Sequence, residues 1–165
     1  MAYILSAQRD QGEPEASRLW HEYQEYLRSN QARFPPGAYA LAASDWYFGF
    51  SDHRAPHDAW LELATFEEPS TGQRHENRTL NLRIKLLGAY HDYWLEFFYA
   101  NVISYSLANA QAARGHCDWR YDEFRLSASG NLVHEIEWVG PPGTAATWVI
   151  EASDVEFRAA PRDEA

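Results

Sequence analysis

Leu80-Asn81-Leu82-Arg83-Ile84-Lys85-Leu86-Leu87 places an aliphatic residue at every second position, with Asn81, Arg83 and Lys85 between them. A period of two marks a strand with one face in a core and the other in water. Gly88 ends the run. Outward from this stretch, further strands are expected at 58–66, 92–99, 102–107, 121–127, 132–138, 147–152 and 155–158. Ala128-Ser129-Gly130-Asn131 has the composition of a hairpin turn. Residues 67–77 are polar around Pro69-Ser70-Thr71-Gly72 and are expected as an exposed loop, with a second turn at Pro141-Pro142-Gly143.

Before residue 46 the period is near 3.6. Ala16, Leu19, Trp20, Tyr23, Tyr26 and Leu27 fall on one face of a helix expected over 14–33. Pro14 suits its first turn, Glu13 and Glu15 complement its positive end, and Arg28 and Arg33 its negative end. Pro35-Pro36-Gly37 stops it, and residues 38–44 read as a second small helix.

One helix followed by strands on short turns, with no βαβ alternation, predicts an α+β fold. The N-terminal helix packs on a curved, mostly antiparallel sheet of about six to eight strands, as helix-on-sheet layering requires. Leu19, Trp20, Tyr23, Leu27, Leu82, Ile84 and Leu86 are expected in one core. The 165 residues make a single domain (1–165), with its β-rich part at 46–158 and a frayed tail at 161–165.

Hydrophobic residues form 45% of the chain and aromatics 15%, a folding rather than a disordered composition. The lone Cys117 excludes an internal disulfide, and no secretory leader is evident, so a cytoplasmic location is expected. No apolar run is long enough to span a membrane. The formal net charge is −10. That sign repels nucleic acid and anionic lipid and favours encounter with a basic protein.

A hexapeptide recurs. His57-Asp58-Ala59-Trp60-Leu61-Glu62 returns as His91-Asp92-Tyr93-Trp94-Leu95-Glu96, with His116-Cys117-Asp118-Trp119 as a looser cousin. On a strand, Asp58, Trp60 and Glu62 share one face, as do Asp92, Trp94 and Glu96. This is either a repeated packing unit or a surface of tryptophans between carboxylates. Its recurrence points to neighbouring strands. Asp118-Trp119-Arg120-Tyr121-Asp122-Glu123 adds three acids, a Trp and a Tyr, the makeup of an interface hot spot.

Seven histidines raise the question of metal, but neither HExxH nor paired CxxC spacing occurs, and no metal ligand or cofactor is assigned. No G-x-S-x-G elbow, P-loop or dinucleotide fingerprint is present, and no catalytic residue is assigned.

Gly88-Ala89-Tyr90-His91-Asp92, Gly115-His116-Cys117-Asp118-Trp119 and Leu132-Val133-His134-Glu135-Ile136-Glu137-Trp138 resemble a group of small bacterial proteins of undefined activity, over about residues 38–157. In size, acidity and aromatic content the chain also resembles immunity proteins of bacterial toxin systems. That resemblance implies a cytoplasmic, non-enzymatic inhibitor of one cognate toxin domain. The partner expected is a basic protein. The candidate contacts are Asp58, Trp60, Glu62, Asp92, Trp94 and Glu96, with Asp118, Trp119, Asp122 and Glu123. The alternative is a ligand or enzyme site in the cup of the sheet, lined by His91, His116, Asp92 and Asp118.

Overall fold

The Leu80–Leu87 alternation becomes strand β4 (Asn81–Leu87) of a computed structural model that describes residues 2–109, 115–141 and 143–162. Leu82, Ile84 and Leu86 are fully buried, and Arg83 faces water. The other strands are β1 (Trp60–Glu67), β2 (Ser70–Thr71), β3 (Asn77–Arg78) and β5 (Tyr93–Leu107). They are followed by β6 (Asp118–Leu126), β7 (Leu132–Gly140) and β8 (Thr144–Pro161). Six of them close into an antiparallel barrel in the order β1-β4-β5-β8-β7-β6, with β2-β3 as a separate small hairpin. That hairpin occupies part of the region expected as a loop. Pro142 of the expected 141–143 turn, and residues 163–165 of the expected tail, lie outside the described residues. Pro161 ends β8, paired with Tyr93, so it is strand and not tail.

Two expected strand pairs are each one long strand. β5 joins 92–99 to 102–107 because Asn101 adopts a left-handed φ of 48° and a bulge follows between Val102 and Ser104. A bulge bends a strand without ending it. β8 likewise runs through Asp154, whose carboxylate turns aside to accept the N–H groups of Gly37 and Ala38, both at 2.9 Å. Those amides open α2 (Pro36–Ala42), the expected small helix. Gly37 is required there, since a Cβ would stand 2.1 Å from the Val155 carbonyl oxygen.

Helix α1 (Glu13–Asn30), extended by a 3-10 turn at Gln31–Arg33, packs on the sheet through Leu19, Tyr23 and Leu27. Tyr23 and Leu27 share one core with Leu82, Ile84 and Leu86. Trp20 does not. It lies one step round the helix from that line, 40% exposed, with its ring edge against Phe48.

β1 and β6 meet through a single bridge, Trp60 with Asp118. Beyond it, among the described residues, β6 has no strand partner on that side: residues 57–59 bond Trp119 and Arg120, and α1 supplies bonds further on. The Tyr23 hydroxyl donates to the Phe124 carbonyl and accepts the Phe124 N–H, and the Tyr26 hydroxyl accepts the Leu126 N–H. The helix thus seals the seam of the barrel, which explains why tyrosines stand on its buried face. Among the described residues, no helix is long and apolar enough to cross a membrane.

Candidate functional site

Seven of the ten candidate contact residues lie exposed or half-buried on β1, β5 and β6 or just before them. Asp58, His91 and Cys117 have left-handed φ values of 60°, 62° and 62° just before these strands. Here the left-handed residue stands ahead of any strand pairing, and β1 starts at Trp60 and β5 at Tyr93, later than the motif alone suggests.

Trp60 stands at the centre, 47% exposed. Its indole N–H donates to Asp118 Oδ1 at 2.8 Å, and its ring packs on the His91 ring at 4.8 Å. Around it the other acids are held in place. Asp58 Oδ1 is 3.3 Å from Arg120 Nη1, and Asp92 Oδ2 is 2.6 Å from His53 Nδ1. His53 stacks on Tyr90, and His57 stacks on Phe50 while its Nδ1 meets the Arg120 carbonyl at 2.6 Å. Beside Trp60 lies a cleft of about 460 Å³, lined by Leu61, Gly115, His116, Cys117, Asp118 and Pro141. Burial holds the His116 imidazole below the usual histidine range, so it is neutral at pH 7.

The two hexapeptides are not on neighbouring strands. They flank β4 in one shared register: Trp60 and Trp94 both pair with Leu87, and Leu61 and Leu95 both pair with Leu86. The match then breaks, because a bulge between Leu61 and Leu63 throws Glu62 out of the ladder. Glu96 instead pairs with Lys85 and Arg158. Trp94 is half-buried, with Lys85 Nζ 4.1 Å and Arg162 Cζ 5.3 Å from ring centres of its indole. Its face is therefore shared with cations of its own chain.

Trp119, Asp122 and Glu123 are corrections: all three are buried and cannot touch a partner. Trp119 and Asp122 lie in the barrel interior. The Asp122 carboxylate accepts from Tyr47 Oη at 2.9 Å, Trp119 Nε1 at 3.0 Å and His134 Nε2 at 2.8 Å. Tyr99 Oη, 2.7 Å from His134 Nδ1, extends the chain. Burial, and then the Asp122 charge, push the Tyr47 and Tyr99 hydroxyls well above their usual range. Both remain protonated, and His134 Nε2–H donates to the Asp122 carboxylate while Nδ1 meets the Tyr99 hydroxyl. Glu123 points to the other side of β6 and accepts the N–H groups of Tyr3 and Leu5 at 2.9 and 3.2 Å. Arg125 Nε lies 2.8 Å from its other oxygen. Burial raises the Glu123 carboxyl above its ordinary range in spite of these partners. A carboxylate pays its desolvation cost only with such donors around it, so the three acids of residues 118–123 part company: one at the surface, two inside.

The cup is filled by that packing. His91, His116, Asp92 and Asp118 do not converge there: His91 packs on Trp60, Asp92 on His53, and His116 sits against Trp138 and Trp148. Among the described residues, no group of three or more His, Cys, Asp or Glu side chains is arranged to hold a metal ion. Arg120, from the 118–123 stretch, joins the surface, and so do His53, Phe50, Tyr90 and Pro141, which were not expected as contacts. No sequence pattern marks them, since loops remote in sequence bring them there.

Comparison of the chain with protein-family models, with curated proteins and with solved structures gives no match.

Proposed function

We propose that this chain is a non-enzymatic, cytoplasmic binding protein of the immunity type, which occludes a basic toxin effector domain. Trp60 carries this proposal. It is a large indole, half out of the surface, yet fixed by Asp118 and His91, with Asp58 and Glu62 two residues to either side along the chain and Asp92 next to His91. A pre-positioned tryptophan costs little entropy on binding and suits the centre of an interface. Acids at its rim steer a cationic partner and repel nucleic acid.

The test is co-purification from the native host with wild-type and Trp60→Ala chains, followed by kinetics with the recovered partner across salt. A basic partner is expected, with binding weakened by at least ~2 kcal/mol in Trp60→Ala. Its on-rate should fall between low and physiological salt, where screening shortens the field to about 8 Å. A neutral or acidic partner, bound equally by the variant and indifferent to salt, would overturn the proposal.

A small molecule is the second candidate occupant, favoured by the volume of the cleft beside Trp60 and the neutral His116 on its wall. Its binding would be unaffected by charge reversal at Asp58 and Glu62, whereas capture of a basic protein would be lost.

A further inference from the structure

β5 opens the longest stretch of the chain without a charge: none stands between Glu96 and Arg114. Within it, Asn101-Val102-Ile103-Ser104-Tyr105-Ser106-Leu107-Ala108-Asn109 reads alike in both directions about Tyr105. Ser104 matches Ser106, Ile103 matches Leu107, Val102 matches Ala108, and Asn ends both arms.

This stretch is an open edge. The first half of β5 lies between β4 and β8, and pairing with β4 ends at Leu82 with Tyr99. The Val102 N–H still reaches the Leu80 carbonyl at 2.6 Å. From there on β5 pairs only with β8, from Ser104 with Glu151 to Leu107 with Trp148. Among the described residues nothing bonds the other side of 103–107, so alternate backbone N–H and C=O groups face outward. Ile103 is 57% and Tyr105 50% exposed. The Tyr105 ring lies 4.7 Å from that of Phe66, itself 41% exposed. Tyr105 pairs with Ile150 and Phe66 with Leu82, both fully buried, so the two rings hold inward-facing positions that the barrel leaves uncovered. Exposed edges are ordinarily blunted by lysine, proline, an inward charge or a bulge; residues 103–107 carry only the bulge at their start, and residues 104–107 beyond it have none of these.

We propose that residues 103–107 pair antiparallel with the same residues of a second copy, about a two-fold axis at Tyr105. That register sets Tyr105 against Tyr105 of the other copy, Ser104 against Ser106, and Ile103 against Leu107. These are aromatic, hydroxyl and aliphatic pairs, each favourable across strands. A two-fold interface must be self-complementary, and the symmetry of the segment about Tyr105 supplies this. The absence of charge fits a copy of this chain rather than a basic partner, because two bodies of charge −10 repel wherever their acids approach. The adjacent carboxylate, Glu151, is tied down within its own subunit by Asn131 and Ser104.

Sedimentation and oxidative cross-linking test this directly. The wild-type chain should show a concentration-dependent monomer–dimer equilibrium. Tyr105→Lys and Tyr105→Glu should each weaken it at least about 50-fold, since like charges then face each other across the axis. Mixing the two variants should restore a dimer, which also shows that both still fold. In a Cys117→Ser background, Tyr105→Cys should cross-link, because directly opposed Cα atoms stand about 4.5–5.5 Å apart. Ser104→Cys should not, because its own copy is displaced by two residues, about 7 Å along the strand. A wild-type chain that stays monomeric at all concentrations would overturn the proposal. So would a dimer indifferent to both charged variants, or one that the mixture fails to restore.

Discussion

The two halves of β5 both carry aromatic and aliphatic side chains and have opposite surroundings. In the first half, Leu95, Phe97 and Tyr99 face a filled barrel, while Trp94 and Glu96 are matched to Lys85, Arg158 and Arg162 outside it. In the second half, Ile103 and Tyr105 face water and nothing charged stands beside them on the strand. A single bend, at Asn101 and the following bulge, separates a strand whose needs are met within the chain from one whose needs are not. Where a strand's neighbours stop matters as much for function as what its side chains are.

The strongest test of the first half goes through its deepest polar contact. Asp122→Ala would leave Tyr47, Trp119 and His134 as buried donors without an acceptor, costing about 3–5 kcal/mol. Denaturant titration measures this, and Asp122→Asn, which keeps one acceptor, should recover part of it. A loss below ~1 kcal/mol would mean that the network does not hold the interior. Next in size, Leu82→Ala should cost about 2–5 kcal/mol by opening a cavity opposite Tyr99. Ile103→Ala, on the open half, should change monomer stability by no more than about 0.5 kcal/mol while weakening self-association. Equal destabilisation by the two would erase the distinction between the halves.

Much of this architecture was legible as period: the β4 alternation and the α1 stripe name their own buried faces. Long strands were less so. Asn101 and Asp154 look like breaks, and only tertiary contacts turn one into a bulge and the other into a cap for α2. Burial of Asp122 and Glu123 left no mark in the sequence, because their donors, among them Tyr47, His134 and the Tyr3 amide, are remote along the chain. For the same reason the sequence left open whether Trp60 packs inside or stands at the surface, where it is 47% exposed. Asp118 reaches it through the one bridge between β1 and β6, and His91 from the start of β5 across β4. The open edge follows from where β4 ends, which no local pattern records.

A smaller effect concerns the cleft beside Trp60. Burial favours the neutral His116 imidazole, so its folded pKa lies below its unfolded value. The unfolded chain therefore takes up the proton first as pH falls. Stability present above the ordinary histidine pKa, about 6.5, should be lost as pH drops from there through the folded value. His116→Phe should flatten that part of the stability profile, and an unchanged slope between pH 7 and 5 would place the imidazole in water.

The charged starts of β1 and β5 and the uncharged far half of β5 should respond to salt with opposite sign, and one measurement tests this most directly. Sedimentation of the wild-type chain alone at low and at high salt reports on the edge. Screening relieves repulsion between two bodies of charge −10, so the dimer should gain at high salt. A dimer that dissolves as salt rises, or no dimer at either salt, would contradict the division of labour between the two halves of β5.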